Sequence, residues 1–138
     1  MSDTLILEID EIPAGLNKLT RMHWSARMKL LHRWDWLIIA AKGRKRWAPS
    51  EKAKVTIERH SAGTLDHDNF IGGLKLVIDA LRLRYSTSGN LIGGNNIIKD
   101  DDAAHVEHGE HKQVRCKRGE QKTIIKIERI TREETEDG

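Results

Sequence analysis

The residues most able to do chemistry lie in two acidic clusters. One stretch, from Leu65 to Leu81, carries Asp66, Asp68, Asn69, Lys75 and Asp79, and a later segment carries Asp100, Asp101 and Asp102 in a row. Carboxylates gathered at one point repel each other unless a cation joins them, and a hard divalent ion such as Mg²⁺ takes oxygen ligands of this kind. Asp66 and Asp68 alternate, so an extended backbone turns both to one side. Counted at 100° per residue from Asp68, the residues Gly72, Lys75, Asp79 and Arg82 fall within about 40° of it. Phe70, Leu74, Val77, Ile78 and Leu81 fall on the opposite side. A helix here buries one stripe and presents Asp68, Lys75 and Asp79 along the other. Simpler uses of these residues are an N-cap at Asp68 and an i,i+4 ion pair between Lys75 and Asp79. Five acids in two clusters, with a lysine one turn from a helix aspartate, exceed what capping needs.

Other chemistries fit less well. An EF-hand loop starting at Asp66 needs an oxygen ligand, glycine and glutamate at its fifth, sixth and twelfth positions, where the chain has Phe70, Ile71 and Val77. Gly72-Gly73 lacks the Gly-Lys-Ser/Thr ending of a P-loop. His105, His108 and His111 are spaced by three, so on a strand His108 points away from the other two, and a zinc site is set aside. Cys116 is the one cysteine, which excludes an internal disulfide and suits a reducing compartment.

The elements that must position these groups can be read from periodicity. Thr4–Ile9 is β-rich and predicts a first strand, followed by a loop marked by Pro13, Gly15 and Asn17. From Met22 to about Arg46 the pattern is helical, with Trp24, Met28, Leu31, Trp34, Ile38 and Ala41 at spacings of three and four. Ser25 falls in its first turn and Gly43 at its exit. Residues 53–59 alternate with period two and predict a half-buried strand leading to Asp66. The central helix is expected to end near Arg84, and Tyr85 to Asn96, rich in Ser, Gly and Asn, to form a loop. Val106 to Val114 predicts one strand, Lys117 to Glu120 a hairpin turn, and Lys122 to Glu128 a last strand. The fold class expected is α+β, with two main helices packed on a mixed β-sheet. Residues 1–130 form a single domain, and 131–138 an acidic flexible tail.

With 138 residues, 38% hydrophobic and 33% charged, the chain can bury one core. It has no apolar run near the roughly 18 residues a membrane span needs. Acids at Asp3 and Glu8 argue against a signal peptide, so a cytoplasmic location is expected. The net charge is only +3, but from Lys18 to Arg59 twelve Lys/Arg stand against three acids. A basic half beside an acidic constellation suggests a polyanion held near bound metal; a solvated basic face is the plainer reading. Arg44, Lys45 and Arg46 suit either the negative end of the helix dipole or phosphate contact. The four tryptophans read first as core or interface residues, and second as platforms for bases.

Asp66-His67-Asp68-Asn69, Lys75-Leu76-Val77-Ile78-Asp79-Ala80-Leu81 and Ile97-Ile98-Lys99-Asp100-Asp101 together resemble the RusA-type Holliday junction resolvases. Asn17 followed by Arg21, His23, Trp24 and Arg27 is similar to that family's N-terminal loop, so the resemblance runs from about Pro13 to Ile127. It implies Asp66, Asp68 and Asp101 as metal-binding acids, with Asp100 beside them and Val106 five residues on selecting Asp101 of the three. It implies Lys75 as the catalytic lysine, with Asp79 and Asn69 in support. Asn17, Lys18, Arg21, Arg27, Arg44, Lys45 and Arg46 are the expected DNA contacts. The segment from Asp68 to Lys75 is three residues longer than in the best-known member and contains Gly72-Gly73. The function expected is Mg²⁺-dependent cleavage (Mn²⁺ substituting) of four-way junctions by a homodimer in recombination and repair, leaving 5′-phosphates, in a bacterial cell and encoded by host or phage. The alternatives are a nuclease for flaps or other branched DNA, and a non-catalytic DNA-binding module with a structural metal.

Overall fold

The computed structural model describes residues 3–130. The acidic tail expected over 131–138 lies outside the described residues. In chain order the elements are β1 (Thr4–Ile9), α1 (Leu16–Arg21), α2 (Trp24–Lys42), β2 (Ala53–Ser61), α3 (His67–Leu81), β3 (Arg84–Tyr85), β4 (Leu91–Gly93), β5 (Val106–His108), β6 (Lys112–Arg115) and β7 (Lys122–Arg129). This is an α+β fold with two main helices, α2 and α3, and a mixed five-stranded sheet.

Strict alternation organises the sheet. In β2 every second residue from Ala53 to Ser61 is buried, and β7 likewise buries Thr123, Ile125 and Ile127. These rows face Leu5, Leu7 and Ile9 of β1 on one side of the sheet, where the helices cover them. β7 is central and pairs antiparallel with both β1 and β2, for example Leu7↔Ile125↔Ile57. β5 and β6 both run parallel to β2 along its other edge.

That arrangement corrects two expectations. Residues 106–114 are not one strand: β5 pairs with residues 53–55 and β6 with 58–61, and the chain leaves the ladder between them. There the backbone N–H of Ile57 donates to His111 Nδ1 at 2.9 Å, so a side chain replaces the missing strand. Lys117 to Glu120 is not a hairpin turn either, because β2 separates β6 from β7. Arg118–Glu120 forms one 3₁₀ turn carrying the chain across the end of β2, and Gln121 Oε1 accepts from Ser61 Oγ and Ala62 N.

The helices also differ at their ends. α2 stops at Lys42, where Gly43 takes a positive φ of 55°, so Arg44, Lys45 and Arg46 follow the helix instead of ending it. α3 stops at Leu81, three residues early, because the Leu81 carbonyl accepts from the N–H groups of both Ile97 and Ile98. The loop expected over 85–96 contains the β3–β4 pairing. α1 replaces part of the loop expected after Pro13. Among the described residues no helix is long and apolar enough to cross a membrane.

Candidate functional site

α3 carries the site, and its wheel is the one expected. Phe70, Leu74, Val77, Ile78 and Leu81 are buried in the core, whereas Asp68 and Lys75 are exposed and Asp79 is half-buried. The helix runs unbroken through Gly72 and Gly73. Both glycines meet α1 and the chain just before it: a Cβ at Gly73 would drive into the Ala14 carbonyl, and one at Gly72 would lie 2.6 Å from Leu16 Cδ2. Close approach of the two helices is therefore what these glycines supply.

The start of α3 is Asp66, not Asp68. Asp66 Oδ2 accepts from Asn69 N at 3.2 Å and Asp68 lies in the first turn. Because helix begins at His67, the strand-like alternation expected for Asp66 and Asp68 does not hold. Asn69 has a structural partner: its Oδ1 accepts from Asn17 N at 2.8 Å. That supplies an N-terminal acceptor for α1, whose own N-cap, Gly15, has no side chain. A Cβ at Gly15 would stand 2.6 Å from the same oxygen. Arg59 joins the approaches to α1 and α3. It is buried, donates from Nε to Pro13 O and from Nη1 to Gly63 O, and is held below its usual pKa by burial.

The second acidic cluster arrives on a well-anchored loop. Ile97 and Ile98 are each 1% exposed, Trp47 Nε1 donates to Ile97 O at 2.9 Å, and Asn95 Nδ2 donates to Ala80 O and Asp35 O. Asp101 is thereby set against the C-terminal half of α3. Lys75 Nζ stands 3.3 Å from Asp101 Oδ2 and 3.7 Å from Asp79 Oδ1. Arg82 Nε lies 3.6 Å from Asp101 Oδ1 and 3.8 Å from both Asp79 Oδ1 and Asp100 Oδ1. Arg82 fell on the acidic side of the wheel, yet reading the sequence gave it no role in the site; its partners come from a segment no local pattern connects to it.

Burial, followed by the carboxyl hydrogen bond with Asp101, pushes Asp79 up to about 6, against the pull of Lys75. Asp101 is held down to about 2, chiefly by that same hydrogen bond. Their proximity drives the proton affinities of the two carboxyls apart, up for Asp79 and down for Asp101. Asp79 Oδ1 and Arg82 Nε are nonetheless buried without a hydrogen bond, close enough to attract but too far apart to bond.

The other predicted residues are placed as follows. From Asp68 to Lys75 the helical rise is about 10 Å, and to Asp79 about 16 Å. The structure thus joins Lys75, Asp79, Asp100 and Asp101, while Asp66 and Asp68 sit at the other end of the same exposed face. Asp100 also belongs to a second group, in which Asp100, Asp102 and His105 offer ligand atoms within 4.8 Å of one another. His108 does not point away from His111: its Nδ1 is 3.0 Å from His111 Nε2, because the chain has left the strand at Gly109. His111, half-buried and beside His108, is pushed down to about 4 by desolvation and the neighbouring imidazole. Lys18 and Arg21 lie exposed on α1 and Arg27 on α2; Arg44, Lys45 and Arg46 lie exposed beyond α2, with Lys45 Nζ on Ile6 O at 3.0 Å. Trp34 and Trp47 are buried, as core residues; Trp24 and Trp36 are exposed.

The acid pair makes stability depend on pH in two directions. Asp79, raised from 3.8, contributes stability that is complete below 3.8 and lost as pH rises through about 6. Asp101, lowered from 3.8, contributes stability present above 3.8 and lost as pH falls through about 2. Because His111, lowered to about 4, gains stability over much the same window, the Asp79 contribution is read as a difference: relative to Asp79→Asn, wild type should lose on the order of 1–2 kcal/mol in denaturant unfolding between pH 4 and pH 6 to 7. A difference that does not change with pH would assign the pH dependence to other groups.

Comparisons with protein-family models, with curated proteins and with solved structures found no match to this chain.

Proposed function

We propose that the protein is a metal-dependent endonuclease for branched DNA, with the four-way junction as its first substrate. The observation that carries this reading is the cluster of Lys75, Asp79, Asp101 and Arg82. A lysine is held between two carboxyls, one of them with a buried oxygen that has no hydrogen-bond partner. Purely structural ion pairs are usually completed by hydrogen bonds.

Asp100, Asp102 and His105 offer ligand atoms within 4.8 Å of one another and would hold Mg²⁺ or Mn²⁺, with Asp101 adjoining Asp100 in the chain. When bound, the ion supplies Lewis acidity and lowers the pKa of water. Lys75 Nζ, exposed between the carboxylates, binds the phosphate and offsets charge on the departing 3′ oxygen. Arg82 holds Asp79, Asp100 and Asp101 together against their mutual repulsion. Lys18, Arg21 and Arg27 draw the DNA backbone to this side, and a twofold dimer would bring two sites to opposed strands.

One gel tests the reading: wild type, Asp101→Asn and Asp68→Asn, with junction, flap and linear duplex, with and without Mg²⁺. Asp101→Asn is expected to abolish cutting while leaving binding intact. Loss in Asp68→Asn as well would mean that the N-terminal end of α3 joins the site when DNA is bound. Retained Mg²⁺-dependent cutting in Asp101→Asn would overturn the site assignment. Binding without cutting under any condition would leave a DNA-binding module.

A further inference from the structure

Beside Lys75 and Asp79, the three helices wall an open groove of about 350 Å³. Its sides are apolar, with Leu16 from α1, Trp24 and Met28 from α2 and Leu76 from α3, and its charged margin is Arg27, Lys75 and Asp79. Trp24 is 66% exposed, with the His23 ring tilted against it at 5.7 Å between centroids. Met28 and Leu16 are each more than a third exposed. On periodicity alone, Trp24 and Met28 belong to the buried stripe of α2, yet no element among the described residues covers them.

We propose that this groove takes a single unpaired nucleobase of the DNA strand whose phosphate lies on Lys75, with the base stacked on the Trp24 indole. The proposal rests on the nuclease reading above. Three observations select this occupant. The volume is at the small end of ligand pockets, suited to one flat ring system and too small for a helix. The walls are apolar while the margin carries hydrogen-bonding and cationic groups, which matches a base joined to a phosphate. The charge is complementary: the one acid at the groove, Asp79, is already paired with Lys75, which leaves Arg27 facing the groove and Lys18 and Arg21 exposed on α1. Aromatic stacking of this kind accepts any base, because every base has a π-face.

The test is binding in EDTA, where nothing is cut, to a four-thymidine single strand and to an abasic strand with the same phosphates. Wild type should bind the thymidine strand about tenfold more tightly than the abasic one. Trp24→Ala should lose that preference, Trp24→Phe should keep most of it, and Trp36→Ala, an equally exposed tryptophan on α2, should leave it unchanged. Thermal melting confirms that each variant is folded. Equal binding of both strands by wild type, or a Trp24→Ala preference equal to wild type, overturns the proposal. So does a change from dimer to monomer in Trp24→Ala on sedimentation with the preference intact, which would make the groove a contact between copies. Base preference without cutting of any branched DNA overturns the nuclease reading alone. Cutting without base preference overturns the base site alone, and absence of any DNA binding overturns both.

Discussion

Lys75→Met is expected to lower Mg²⁺-dependent cutting of a four-way junction by about 10²–10³-fold, the usual effect of removing one group that stabilises charge in a transition state. The same change should alter unfolding free energy by less than about 1 kcal/mol, because Lys75 is 74% exposed and its two ion pairs are screened by water. The separation of the two effects is the point of the experiment. If Lys75 only relieved repulsion between Asp79 and Asp101, its loss would act on stability and leave the cutting rate nearly untouched. Arg82→Met provides the comparison. Arg82 is less exposed than Lys75 and lies within 4 Å of three carboxylates. Its removal leaves those charges without their central partner and should cost more stability than the Lys75 change. Single-turnover rates and denaturant unfolding on the same preparations measure both. Full activity in Lys75→Met would remove the lysine from the chemistry.

What could be read before the structure divides along physical lines. The 3.6-residue period of α3 and the two-residue period of β2 and β7 are set by burial on one face, and burial decides fold here. So the wheel placed Phe70, Leu74 and Val77 inside and Lys75 and Asp79 outside. Six residues of α1 cannot show a period, and its N-terminal acceptor comes from Asn69, 52 residues away. The break between β5 and β6 was hidden for a similar reason: a histidine nitrogen occupies a ladder position, and only pairing with β2 reveals it. The two acidic clusters were legible as clusters. Which of their members meet was not, because helix through Gly72-Gly73 sets Asp68 and Lys75 two turns apart, and the Leu81 carbonyl fixes where the second cluster enters. Trp24 and Met28 failed the wheel where the stripe of α2 opens into a groove beside charge.

Gly73→Ala is expected to destabilise the fold by about 3 kcal/mol or more, whereas its neighbour Gly72→Ala should stay within about 1 kcal/mol of wild type. Both gain about 1 kcal/mol of intrinsic helix preference from the added methyl. They differ in what the methyl meets. At Gly73 it meets backbone, the Ala14 carbonyl and Gly15 Cα at 3.0 Å. Relief there requires α1 and α3 to part, which breaks the Asn69–Asn17 hydrogen bond and opens core around Leu19 and Leu74. Overpacking against a fixed neighbour typically costs 1–3 kcal/mol before such losses are added. At Gly72 it meets the side chain of Leu16, which is 38% exposed and can swing toward solvent. The swing carries Leu16 into the Trp24 groove, so Gly72→Ala should keep its stability and lose the preference for a strand with bases. Equal stabilities for the two variants would mean that α1 is not packed on α3 through these glycines.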